Sequence, residues 1–237
     1  MTLIVHHLGI SQSERVVWLC EELGIDYELR KYNRSPLLAP PEYKVLHPLG
    51  SAPVIEDGSL ELAESGACVE YIAQTYGKGR LIIPPGHNDY ADYLYWFHFA
   101  NASLQSALMR DLAVKSIGGT SDGTGRGGDI LKRFKEKFFA MLTLMDDRLA
   151  KVPWLAGDQF SAADIMVVCC LTTMRCFNPY DLGEYENILR YLARVSARDG
   201  YRRAKQKGDP ELDITLLAGA APPPWPQTTP AQAAHAH

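Results

Sequence analysis

The stretch Leu8–Gly24, LGISQSERVVWLCEELG, constrains this chain more than any other. A β-prone run, Thr2–His7, leads into it. Val16, Cys20 and Leu23 recur at i, i+4 and i+7 beside Val17 and Leu19, so a helix here has one apolar face. Ser11 and Glu14 match the S-x-x-E capping box, and Gly24 is a natural stop. Tyr27–Tyr32 then alternates as a strand does. A strand, a helix and a strand in so short a span imply a parallel pair joined by a right-handed crossover. The helix N-terminus placed this way carries unpaired N–H groups and a partial positive charge, and hydroxyls stand beside it. It can hold an anion, a thiolate included.

The chain has 237 residues, 46% of them hydrophobic, enough for one large or two small packed domains. A net charge of −4 argues against a broad nucleic-acid surface. The N-terminus has no basic region ahead of a long apolar run, so no signal peptide is expected. The longest apolar run, Ile165–Leu171, is far too short to span a membrane. Cys20, Cys68, Cys169, Cys170 and Cys176 are odd in number and form no C-x-x-C. They read as buried, reduced thiols of a cytoplasmic protein, not as a disulfide framework or a zinc site, and no metal is expected.

After a Pro-rich loop over 34–41 and a short helical piece over 42–46 comes His47–Ile55, HPLGSAPVI. Pro53 donates no N–H to a ladder and suits the first residue of a strand. Asp57-Gly58 marks a hairpin, and Leu60–Leu62 returns. A helix starts near Glu64-Ser65, with Cys68, Val69, Ile72 and Tyr76 on one face, and ends at Gly77. The order and three stretches, Leu8–Arg15, His47–Ile55 and Glu64-Ser65, resemble the glutathione S-transferase family, closest to fungal and bacterial members. The resemblance covers about residues 1–207.

The resemblance implies an α/β thioredoxin-like domain over 1–80 and an all-α domain over 88–207. A Pro/Ala-rich tail, 208–237, follows and reads as irregular. It also implies a cis peptide before Pro53 and a site for glutathione. In that site the N–H groups and hydroxyl of Ser65 would take the γ-glutamyl carboxylate, and Glu64 would take the amine. The backbone of Ala52, next to Pro53, would pair with the cysteinyl part. Ser11 or Ser13 would donate to the sulfur. The plainer alternative for Ser11 is a helix cap, and for Glu64 and Ser65 a favourable helix start. Family members often carry lysine where this chain has Ser51; either the glycine carboxylate is held less tightly, or Lys44 or Arg15 replaces the lost charge. No tyrosine or cysteine stands where tyrosine- or cysteine-using relatives need one.

Beyond the Pro/Gly-punctuated link over 78–87 the pattern is helical. Tyr93, Phe97, Ala100, Leu104 and Leu108 share one face. Leu131, Phe134, Phe138, Met141, Met145 and Leu149 share another. Tyr93, Phe97, Asn101 and Gln105 are candidates to line a second-substrate pocket. The glycine-rich stretch 117–128 reads as a mobile connection. Ser161 and Asp164 predict a capping box with Phe160 stapled to Ile165, opening a buried helix over 162–176. Tyr185–Val195 and about 200–205 are further helices. The leading functional reading is a transferase whose bound glutathione thiolate attacks a small electrophile. The alternatives are an isomerase or an ether- or thioether-cleaving enzyme with glutathione as cofactor, and a non-catalytic binding protein. Family members are commonly homodimers, so a homodimer is expected.

Overall fold

The computed structural model describes residues 2–35, 38–116 and 128–225. Strand β1 (Ile4–Leu8) runs into α1 (Glu14–Leu23) and on to β2 (Glu28–Tyr32). β1 and β2 pair in parallel, Ile4 opposite Glu28 and Leu8 opposite Tyr32, as the crossover argument requires. A one-turn α2 (Pro41–Lys44) follows. Next come β3 (Val54–Asp57), β4 (Leu60–Ala63) and α3 (Ser65–Thr75). The sheet order is β2-β1-β3-β4, with β3 antiparallel to both its neighbours, and the Ala52-Pro53 peptide is cis. This is a thioredoxin-like domain, and the rest is helical. Gly24, with φ of +62°, ends α1 in the left-handed region.

The helical part opens with α4 (Tyr90–Phe99), a π-helical turn (Ala100–Gln105) and α5 (Ser106–Ser116). The chain continues as α6 (Gly128–Leu149), α7 (Ala162–Leu171), α8 (Glu186–Ser196), α9 (Asp199–Gly208) and α10 (Ile214–Leu217). All of α7 is buried, and Ser161 and Asp164 close the expected capping box. The helix is shorter than its apolar run suggested. Thr172 returns its hydroxyl to the Val168 carbonyl at 2.7 Å, leaves helical dihedrals, and hands the chain to a single 3-10 turn, Thr173–Cys176. Phe160 puts its ring between those of Trp18 and Trp154, at 5.5 and 5.0 Å. All five cysteines are buried and free.

One core runs through both parts, because α1 packs between the sheet and helices α7 and α9. Trp18 meets Phe160 and Tyr201. Glu22 pairs with Arg198 at 2.7 Å, and Glu21 with Arg203 and Lys207. The first part of the expected irregular tail is built into this assembly. Leu212 and Leu217 cluster with Ile10 and Cys176, and the Trp225 ring sits 4.7 Å from that of Phe177. The stretch 117–127 and the last residues, 226–237, lie outside the described residues. Among the described residues no helix is long and apolar enough to cross a membrane.

Candidate active site

The turn from β1 into α1 is held in a conformation that side chains resist. Ile10 has φ of +52°, in the left-handed region that a β-branched residue avoids. Two ionic side chains clamp it there. Arg34 donates to the Gly9 and Ile10 carbonyls, both at 2.8 Å, and the Ile10 N–H donates to Asp209 at 2.7 Å. Positive φ in a non-glycine residue persists only where its surroundings impose it, and such sites cluster around ligands. A second case is Glu64, φ +71°, at the mouth of α3.

The expected capping box at Ser11 does not form. Glu14 turns away to the buried Lys205 and to Thr173. Burial opposes the charge on Lys205, but Glu14 outweighs it and raises its pKa above the ordinary value. Ser11, 7% exposed, is released from that role. Its hydroxyl donates to the Leu8 carbonyl at 2.6 Å, accepts from the Ser13 N–H at 3.2 Å and lies 2.7 Å from the Ser13 hydroxyl. Ser13 is fully buried and lies 2.9 Å from Nδ1 of the equally buried His7. His7 Nε2–H donates to Asp209 at 3.1 Å. Burial works against ionising Asp209, but the His7 contact prevails and brings its pKa down to about 2, so it is a carboxylate.

At the head of α3, Ser65 is buried and its hydroxyl accepts from Arg15 at 2.9 Å and from the Asn101 amide at 3.1 Å. Arg15, with no exposed surface, also donates to Gln12, Asn101 and Gln105 at 2.8, 2.7 and 3.0 Å. Every one of these acceptors is neutral, and its Nε has no partner. Arg15 is a buried cation with no paired carboxylate among the described residues, beside the N–H groups of a helix start. Gln12 ties the two helix starts together: its amide oxygen accepts from Arg15 and, at 3.4 Å, from Ser65.

Several expected site residues fall elsewhere than the sequence suggested. Arg15 sits at Ser65, so it is not at the Ser51 end. Lys44 is there instead, its side chain packed beside Gly50, while Ser51 is exposed, Ala52 half-buried and Pro53 buried. Tyr93 and Phe97 are 4% and 5% exposed and belong to the core under α3, not to an open wall. Asn101 and Gln105 face Arg15, because the π-helical turn widens the helix there and re-aims them. A cavity of about 450 Å³ opens elsewhere, between α5, α6 and residues 178–185. Arg110, Phe134, Phe138, Asn178 and Tyr180 help line it. Burial pushes the cysteine thiols up, Cys68 to about 12, so none is a ready nucleophile. Sequence reasoning missed His7, Gln12 and Asp209. The His6-His7 pair in a strand was one available sign, since alternation sends one ring to each face.

The family model for the glutathione S-transferase N-terminal domain matches residues 1–74, and that for the C-terminal domain matches residues 128–194. Glutathione S-transferase 3 of Schizosaccharomyces pombe is 32% identical over 96% of this chain and 96% of its own length. A crystal structure of a glutathione S-transferase from Actinobacillus pleuropneumoniae is 32% identical, with a TM-score of 0.79 over 90% of this chain and 96% of that one. A theta-class glutathione S-transferase from Xanthomonas axonopodis pv. citri, solved with glutathione bound, shares the fold at 23% identity. Its TM-score is 0.66, over 86% of this chain and 96% of that one.

Proposed function

The chain belongs to the glutathione S-transferase family, and from that premise we propose that it holds glutathione between the starts of α1 and α3 and uses its thiolate against a small electrophile. The observation that carries this reading is Arg15, a buried guanidinium hydrogen-bonded only to neutral groups and placed against Ser65. The γ-glutamyl carboxylate supplies the missing anion. It takes the first N–H groups of α3 and the Ser65 hydroxyl, and the exposed Glu64 takes the adjacent amine. The Ala52 backbone, set by Pro53, pairs with the cysteinyl unit. Lys44, near the exposed Ser51, is the base available to the glycine carboxylate.

The sulfur then lies at Ser11. A free thiol has a pKa of about 8.5, and lowering it by two units takes about 2.7 kcal/mol of preference for the anion. The Ser11 hydroxyl and the N-terminus of α1 favour the anion together. Asn178, which lines the cavity between α5 and α6, follows Phe177, whose ring Arg34 covers at 4.8 Å. The cavity is the candidate seat of the electrophile, with apolar walls that carry both basic side chains (Arg110, Lys115, Lys135) and acidic ones (Asp111, Asp181, Glu184). Leu94, Tyr95 and Met109 are exposed apolar side chains on α4 and α5 and suit a second copy of the chain.

Calorimetry with glutathione, followed by turnover with chlorodinitrobenzene, tests the reading. Saturable binding and conjugation above background are expected, and Arg15→Met should weaken binding at least about tenfold, the size of one charge-assisted hydrogen bond. Absence of heat at millimolar ligand would leave only the architecture standing. Binding without turnover would point to a non-catalytic glutathione binder.

A further inference from the structure

The chain of groups behind Ser11 has an order that a cap does not need. Ser11, Ser13, His7 and Asp209 follow one another at 2.7, 2.9 and 3.1 Å, running inward from the site. Ser13, His7 and Asp209 are all at most 1% exposed. Because the Asp209 carboxylate can only accept, the proton it faces is on His7 Nε2, and Nδ1 of a neutral ring is left to accept from Ser13. The Asp209 oxygen on this path takes two bonds, from His7 and Ile10, while its other oxygen has none. The carboxylate therefore has unused capacity to balance a cation on the ring. The charged groups facing the pair are Lys205, one turn back on α9 and already paired with Glu14, and Arg34, which clamps the turn from the far side.

We propose that Ser11, Ser13, His7 and Asp209 form a proton relay that stores the glutathione thiol proton inside the protein when the thiolate forms. The proposal rests on the site reading above, which puts the sulfur at Ser11. In the first state the thiol S–H donates to Ser11, the Ser11 hydroxyl turns from the Leu8 carbonyl, to which it donates at 2.6 Å, and donates to Ser13, and the Ser13 hydroxyl donates to His7 Nδ1. Each proton then moves one place. The S–H bond breaks and its electron pair stays on sulfur. Ser11 gains the thiol proton and passes its own to Ser13, Ser13 passes its own to His7, and an N–H bond forms at Nδ1. The end state is a thiolate that accepts from Ser11, a Ser11 hydroxyl that accepts from Ser13, and a His7 imidazolium that donates to Ser13 and to Asp209. No other reactant is consumed. Ser11 touches the sulfur; Ser13, His7 and Asp209 act through it, as an aspartate-oriented histidine acts through a serine.

The test is a proton count on the wild-type protein. Glutathione is titrated at pH 7.5 in buffers of different ionisation enthalpy, and the thiolate is read by its ultraviolet absorbance in the same samples. The relay predicts thiolate in the bound state with almost no proton reaching the buffer. It also predicts a His7 ring that becomes doubly protonated in nitrogen NMR when glutathione binds and not when S-methylglutathione does. Thiolate accompanied by about one released proton per site would overturn the relay while leaving the site reading intact. Binding with the thiol still protonated would overturn it too. No binding heat would remove the site reading and the relay together. Asp209→Asn provides a second readout: the fraction of bound thiolate at pH 7.5 should fall severalfold with KM for glutathione little changed. An unchanged fraction would contradict the storage role.

Discussion

Two helices of this chain begin with the same pattern, a serine followed three residues later by an acid, and use it in opposite ways. At α7 the pattern is spent on the fold. Ser161 and Asp164 cap each other's N–H groups, and Asp164 also takes the Leu155 N–H and the Tyr191 hydroxyl, both at 3.0 Å. At α1 the pattern is pulled apart. Glu14 joins Lys205 across to α9, and Ser11 is left at the edge of the site with a file of polar groups behind it. A helix start whose natural cap has been drawn elsewhere keeps donors for a ligand. The difference between the two serines is a difference of partners, since both sit before an apolar helix.

The comparison is most easily broken at Asp164. Asp164→Ala strands the Leu155 N–H, the Ser161 N–H and the Tyr191 hydroxyl in the core. Unfolding by urea should show a loss of about 4 kcal/mol. A loss under 1 kcal/mol would mean that α7 does not depend on its cap.

The two buried aspartates should also respond to pH with opposite sign. Burial raises Asp164 to about 6, against its hydrogen bonds, while Asp209 lies at about 2, and the ordinary value is 3.8. The contribution of Asp164 is therefore full below about pH 4 and is lost as the pH rises through 6. That of Asp209 is present above about pH 4 and is lost as the pH falls through 2. Relative to Asp164→Asn, wild-type stability should fall by about 3 kcal/mol between pH 3 and 7. Relative to Asp209→Asn, it should rise by about 2 kcal/mol between pH 1 and 5. Slopes of the same sign would undo the distinction.

The serines give the smaller effects. Ser11→Ala should slow conjugation at least about thirtyfold, roughly 2 kcal/mol of anion stabilisation, with little change in melting temperature. Ser161→Ala should do the reverse, costing about 1 kcal/mol of stability and leaving turnover untouched. Equal melting losses for the two would show that Ser11 is only a cap.

Much of this arrangement was legible before any coordinates. Periodicity and turn residues placed β1, α1, β2, the Asp57-Gly58 hairpin and α3, because each is a local pattern with one cheap solution. The parallel pairing followed from chain length alone. Ser161 and Asp164 were read correctly because their partners lie within three residues. Ser11 and Glu14 were read with the same rule and came out differently, because Lys205 and Thr173 lie far away in sequence and compete for the carboxylate. Asp209 was hidden for the same reason. Lys-Gly-Asp-Pro looks like the start of a tail, and only the packing of α9 on α1 brings it to Ile10. Tyr93 and Phe97 share a face with Asn101 and Gln105 on an ideal helix. The π-helical turn breaks that register, and no single-residue signal marks it.

The account stands most directly on where the sulfur of bound glutathione lies, which a crystal structure of the complex measures. The sulfur should be within hydrogen-bond reach of the Ser11 hydroxyl, with the γ-glutamyl carboxylate on the N–H groups at Ser65 and Arg15 behind it. A tripeptide seated with its sulfur away from both Ser11 and Ser13, or with no anion near Arg15, would contradict it.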